Sequence, residues 1–197
     1  MSLATPVKTE IERKFLVAHD GWKAGVVSNC RIRDGLVAVF GGGGKVRVRI
    51  AGEEATIALK GPRDGLARAE FEFPVPVAEA EAMLAAFCHG PIVEKTRHLV
   101  PHDGLTWEVD VYHGLLAGTV YAEVELAAET QHVTLPGWVG QEVTGDPRHS
   151  KRAIVAAWLA ADGVARTQQP ADQAEAAPGG RGPYDTHAGG QRHQPPA

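Results

Sequence analysis

Cysteine is nearly missing from this chain, with Cys30 and Cys88 the two examples in 197 residues. They form neither a metal-spaced pair nor a disulfide framework, which excludes a stapled mini-fold and points to a reduced protein. Aromatic residues are also few, at 6%. No aromatic series accompanies the basic residues, so a base-stacking platform for single-stranded nucleic acid is not expected. Surplus positive charge is absent as well. The formal net charge of −4 gives no general attraction to nucleic acid or to an anionic membrane, and any anion site must arise from local clustering of bases. No apolar run approaches membrane-spanning length, and Met1–Glu12 contains no apolar signal core. The expectation is a cytoplasmic protein with a small-molecule partner, and with neither nucleic acid nor membrane.

What is present is enough for one globular domain: 44% hydrophobic residues in a chain of ordinary domain length. Composition changes after Ala161. The remainder is mostly Gly, Pro, Ala and Gln with scattered charges and one aromatic, Tyr184. Such a segment buries too little apolar surface to offset its ordering entropy. Residues 1–162 are therefore expected to form the domain, and 163–197 a disordered tail. Within the domain, short alternating runs are separated by the turn signals Asp34-Gly35, Gly41–Gly44, Asp64-Gly65 and Asp103-Gly104. Helical spacing marks Val77–Cys88. A second helix is predicted over Pro147–Ala161, with Asp146 as N-cap, Pro147 at the first position and Gly163 past the end. Trp22–Val27 is a weaker helical stretch.

The strands carry an unusual charge pattern. Glu10, Glu12 and Lys14 share one face of the first run, because alternate residues of a strand point the same way. Arg47 and Arg49 share a face of Val46–Ile50, and Lys60 ends Thr56–Lys60. Arg68, Glu70 and Glu72 line one side of Arg68–Phe73, and Lys95 and Arg97 lie on Glu94–Val100. Trp107–Val111 adds Glu108 and Asp110, and Tyr121–Leu126 adds Glu123 and Glu125. A half-buried sheet has a polar face in any case. Like charges repeated at i and i+2, however, add repulsion that a solvated face has no reason to carry. Same-face residues sit about 7 Å apart, so two carboxylates can converge on one cation and two arginines can hold neighbouring phosphates.

These blocks resemble, in order and over roughly residues 7–161, the CYTH or triphosphate tunnel metalloenzyme family. Glu10-Ile11-Glu12-Arg13-Lys14 is similar to its opening ExExK signature, and Glu142–Arg148 to its closing block. The resemblance implies a mainly β (α+β) fold, a closed eight-stranded antiparallel barrel with flanking helices around a charged tunnel. It implies that Glu10, Glu12, Asp110, Glu123 and Glu125 hold divalent metal. Lys14, Arg47, Arg49, Lys60, Arg68, Lys95 and Arg97 would bind the phosphate chain, and Lys14, Glu70 and Glu72 would serve catalysis. Hard oxygen ligands suit Mg2+ or Mn2+. The activity implied is hydrolysis of a short inorganic polyphosphate, tripolyphosphate above all. The alternatives are a nucleotide-handling relative (adenylyl cyclase, thiamine or nucleoside triphosphatase) or a non-catalytic polyphosphate-binding module. The chain also departs from the family pattern. Asp34-Gly35-Leu36-Val37 stands where a Gln-Gly-Tyr-Leu block is common, Leu115-Leu116 where polar residues are usual, and His149-Ser150 where Tyr and Asn are expected.

Other signals are set aside. Gly41–Lys45 lacks the spacing and the following Ser or Thr of a phosphate loop and reads as a hairpin loop. The nine histidines show no zinc-binding spacing. Trp107 and Trp138 are expected in packing. Arg148, Lys151 and Arg152 are assigned to a solvated helix face, with a tunnel mouth as the alternative.

Overall fold

The computed structural model describes residues 8–88 and 90–167. The sequence-predicted tail falls outside the described residues from 168 onward.

Eight antiparallel strands follow from the alternating runs: β1 Thr9–Val17, β2 Ser28–Val39, β3 Lys45–Ala51, β4 Glu54–Lys60, β5 Ala67–Val75, β6 Val93–His102, β7 Leu105–Tyr112 and β8 Val120–Glu125. Their order is β5-β4-β3-β2-β6-β7-β8-β1, and β1 closes the ring on β5 through Thr9↔Ala69, Glu10↔Arg68 and Ile11↔Ala67. The second half of β1 pairs instead with a short ninth strand, β9 Val139–Glu142, in the gap beyond β5. Closure removes the exposed edges that an open sheet would present.

Two of these strands are not apparent from the sequence pattern. β2 is the longest, and it runs straight through Asp34-Gly35, which reads as a turn. The reason lies on the outer wall. A Cβ at Gly35 would stand 2.3 Å from Leu84 and 2.5 Å from Cys88, so this glycine admits a helix close against the strand rather than a turn. That helix, α1 Val77–Phe87, packs Ala80 and Leu84 onto Val48, Ile50 and Ala55. The other turn signals hold. Asp103 and Gly104, both with positive φ (47° and 78°), make the β6–β7 hairpin.

The end of the chain corrects the predicted second helix. Pro147–His149 is a 3-10 turn, with Asp146 accepting from the Arg148 amide at 2.9 Å. Ser150 is extended, its hydroxyl accepts from the Ala153 amide at 3.1 Å, and α2 Lys151–Thr167 begins after it. α2 runs through Gly163, which costs about 1 kcal/mol in a helix interior but does not end one. Trp22 lies in a further 3-10 turn, Asp20–Gly25.

The apolar core lies outside the barrel wall rather than inside it. Phe15, Trp107, Val109, Ala122 and Val124 point outward and are covered by Trp22, Leu126, Val133 and Trp138. The Trp107 and Trp138 rings meet edge-on at 5.7 Å, as their packing assignment requires. A third cluster seals part of one barrel end. Val93, Tyr112 and Tyr121 meet Leu116 there, with Ile154 and Val155 of α2 packed on them. The inward face is left to charge.

Candidate active site

Opposite faces of the same alternation fill the lumen, a cavity of about 400 Å3. Eleven Lys and Arg side chains and eight Asp and Glu side chains line it, within a chain whose net charge is −4. The clustering of bases that anion binding needs is therefore internal.

The charges form linked pairs. Lys60 Nζ lies 2.8 Å from Glu10 and 2.7 Å from Glu70, with Lys60 and Glu70 both buried. Arg68 also pairs with Glu10 and reaches Glu12 at 3.2 Å, and Arg63 meets Glu12 at 2.5 Å. Lys14 Nζ stands 3.6 Å from Glu123, donates to the His149 carbonyl at 3.0 Å and lies 3.9 Å over the Tyr121 ring. Burial alone would raise Glu10 and Glu123. Arg68 and Lys60 outweigh it at the first, and Lys14, Lys95 and Arg97 at the second, so that each carboxyl is held down at about 2.

Of the residues singled out by sequence, all but Asp110 line this one cavity. Asp110 is fully buried behind it. Its Oδ1 accepts from Arg97 Nε at 2.8 Å, its Oδ2 accepts from Arg97 Nη2 at 2.8 Å, and Lys95 also donates to Oδ2. Both oxygens are thus occupied by cations. The carboxylate two residues earlier, Glu108, faces the cavity instead and pairs with Arg97, and burial pushes its pKa up.

Asp34 was read as part of a turn, yet it is buried and central. Arg49 Nε lies 3.1 Å and Arg47 Nε 3.5 Å from its Oδ1, and Lys151 Nζ lies 2.6 Å from its Oδ2. Lys151 therefore departs from the solvated face assigned to it. It reaches from the first turn of α2 into the lumen, where burial outweighs Asp34 and nearby Lys95, Arg47 and Arg49 add to the push, down to about 7. Arg148 does sit in solvent, paired with Asp146 at 2.6 Å. Lys8, Lys45, Arg63, Thr144 and His149 also line the cavity. For Lys45 the signal was available, since it precedes Arg47 and Arg49 at the same two-residue step. For Arg63 and His149, which lie in connections, periodicity offers none. Leu36, in the position where a tyrosine hydroxyl is common, is 39% exposed. The tyrosine nearest Lys14 is Tyr121, whose hydroxyl is 2.9 Å from His149 Nδ1.

The lumen suits two kinds of guest. Arg47 Nε is a buried donor with no hydrogen bond among the described residues, its nearest carboxylate oxygen, Asp34 Oδ1, standing 3.5 Å away, which leaves it able to donate to an anion. Carboxylates, meanwhile, face each other across the wall: Glu12 opposite Glu125 and Glu108 opposite Glu123. Facing like charges are destabilising, and a divalent cation bound by hard oxygens relieves them. Among the described residues no three acidic, His or Cys side chains are drawn together as a formed metal cluster. The acids instead rest on Lys and Arg. The donor set fits a divalent ion, provided that those side chains turn from their present cations.

The profile of the CYTH domain matches residues 8–152. The chain belongs to the CYTH domain family. Among its relatives is an inorganic triphosphatase of Acetivibrio thermocellus, 38% identical over 146 residues, which cover 74% of this chain and 92% of the relative. An inorganic triphosphatase of Nitrosomonas europaea is 37% identical over 150 residues, covering 74% and 96%. The crystal structure of the inorganic triphosphatase NE1496 superposes with a TM-score of 0.55 at 34% identity, covering 74% of this CYTH chain and 97% of that one. The closed barrel is thus the fold expected of a CYTH protein. No helix among the described residues is long and apolar enough to cross a membrane.

Proposed function

We propose that this protein is a metal-dependent inorganic triphosphatase that hydrolyses tripolyphosphate to pyrophosphate and phosphate in the barrel lumen. One observation carries the reading: one cavity gathers eleven cations and eight carboxylates, with Tyr112, Val143 and Pro147 as its few apolar lining residues. Such a lumen complements a chain of phosphates and a divalent cation far better than it does an apolar organic head group. The relatives named above carry the same activity in their names.

Arg47, Arg49, Lys60, Arg68, Lys95 and Arg97 would hold the phosphate oxygens, each contact a charge-assisted hydrogen bond. Asp34, Asp110 and Glu70 fit a positioning role better than a ligand role. Each is buried and clamps the bases: Arg47, Arg49 and Lys151 on Asp34, Lys95 and Arg97 on Asp110, Lys60 on Glu70. Glu10, Glu12, Glu123 and Glu125 would hold the metal, for which Mg2+ or Mn2+ is the choice consistent with oxygen donors. When bound, it supplies charge neutralisation and polarises a phosphoryl oxygen. Glu72 lines the lumen without an ion pair among the described residues, which leaves its carboxylate available to orient water for in-line attack. Lys14, drawn into the lumen between Glu123 and the Tyr121 ring, would offset charge on the transferring or leaving group.

Phosphate release from tripolyphosphate, ATP and thiamine triphosphate, each with and without Mg2+ or Mn2+, tests the reading. Tripolyphosphate turnover that requires the metal and far exceeds the other two is the expected result. Equal turnover of ATP, or turnover in chelator, would refute it.

A further inference from the structure

Among the described residues the ion-pair network leaves over two lumen cations, Lys8, which is exposed, and Lys45, which is half-buried. Lys45, the first residue of β3, lines the cavity but forms no salt bridge among the described residues. Arg47, Arg49, Lys60, Arg63, Arg68, Lys95 and Lys151 are, by contrast, each paired with a carboxylate. The position is also unfavourable by fold alone. Lys45 stands directly opposite Lys60 in the β3–β4 register, and like charges facing each other cost stability. Burial, reinforced by Arg68, Arg47 and Lys60, pushes the Lys45 ammonium down to about 8. Glu12 counters this cost only in part, and no carboxylate among the described residues pairs with Lys45, so a bound anion would supply the remaining offset.

Place in the fold says which anion. Lys45, Arg47 and Arg49 step along the lumen at about 7 Å intervals, and Lys45 is the outermost, next to the Gly41–Gly43 turn. The end of the barrel where β3 begins and β4 ends is closed on its β6–β7–β8 side by Leu116, Ile154 and Val155. Its β3–β4–β5 side carries Lys45 and, on the connection after β4, Arg63. The series of bases thus continues outward beyond Arg47, toward a side that the apolar plug does not cover.

We propose that Lys45, with Arg63, forms an additional phosphate position at this mouth, so that the lumen takes a linear chain of four phosphates in preference to three. The inference rests on the polyphosphate reading of the same lumen. It makes Lys45 a specificity residue for chain length.

The test compares the full-length parent with Lys45→Met on tripolyphosphate and tetrapolyphosphate. In the parent, KM for tetrapolyphosphate should be lower than for tripolyphosphate. Lys45→Met should shrink that ratio by about tenfold or more, the loss expected for one charged hydrogen bond. Without ligand, the variant should melt at a higher temperature than the parent, because a repelled cation has been removed. A structural lysine would give the opposite. An unchanged ratio, or a lower melting temperature in Lys45→Met, overturns the proposal. Calorimetric titration with tetrapolyphosphate in metal-free buffer reads the same difference without turnover. A parent that binds tetrapolyphosphate more tightly than Lys45→Met but hydrolyses neither chain would sink the triphosphatase reading and leave the Lys45 assignment standing.

Discussion

Asp34 is a carboxylate in a lumen proposed to bind anions, and its surroundings explain why. Arg47, Arg49 and Lys151 all lean on it, and it is buried with its pKa held well below the usual range. Asp34→Asn should leave those cations uncompensated and cost about 3–5 kcal/mol, or roughly 10 °C in melting temperature. Tripolyphosphate should restore more of that loss in the variant than it adds to the parent, and thermal melts with and without ligand measure both. Asp110→Asn should act differently from a metal-ligand change. It frees Lys95 and Arg97, so KM for tripolyphosphate should rise while the concentration of metal giving half-maximal rate stays put; a shift in that metal concentration would restore Asp110 to the ligand set. Alternation in the sequence placed Glu10, Glu12, Lys14, Arg47, Arg49, Glu123 and Glu125 in the lumen, because period two survives in any sheet. It could not separate Glu108 from Asp110. Both occupy the inward face, and which one is covered depends on how deep each lies under Arg97.

Elements differ in how much of themselves they print in the sequence. β1, β3 and β8 alternate cleanly and were legible. β2 was hidden because Gly35 serves the approach of α1, a tertiary requirement that imitates a turn signal. β9 is too short to show a period. α2 was legible as a helix but not as a plug, since only its docking on Leu116 and Tyr121 reveals which face is covered. That docking can be tested. Ile154→Asp would place a carboxylate among those side chains at a cost of at least about 2 kcal/mol and should loosen α2. Lys151 would then withdraw from Asp34, and the affinity for tripolyphosphate should fall. A variant that melts and binds like the parent would show that α2 does not depend on this contact.

For the molecule as a whole, the lumen makes stability rise with pH in two separate windows. Glu10 and Glu123 are held at about 2, against an ordinary value of 4.5. The unfolded chain takes up these protons first, so their contribution is complete above pH 4.5 and is lost as pH falls toward 2. Lys45 and Lys151 are displaced in the same direction, to about 8 and about 7 from 10.5, because burial disfavours their charged form. Here the folded state releases its protons first, so the ligand-free protein should gain stability between about pH 7 and 10.5. Bound polyphosphate holds the ammonium protons in place. Calorimetry at pH 8 in buffers of different ionisation enthalpy should therefore record proton uptake on binding, and melts with ligand should lose the alkaline rise. Buffer-independent heats would contradict the displaced lysines. Closure through β1 adds a consequence in time. The first strand made is held by β5 on one edge and by β8 and β9 late in the chain, with Glu12 opposite Glu125 and Phe15 opposite Glu142. Such distant partners slow folding. A ribosome must have released nearly the whole domain before β1 finds them, and until then the acids and bases of the future lumen remain in water, unable to discriminate one anion from another.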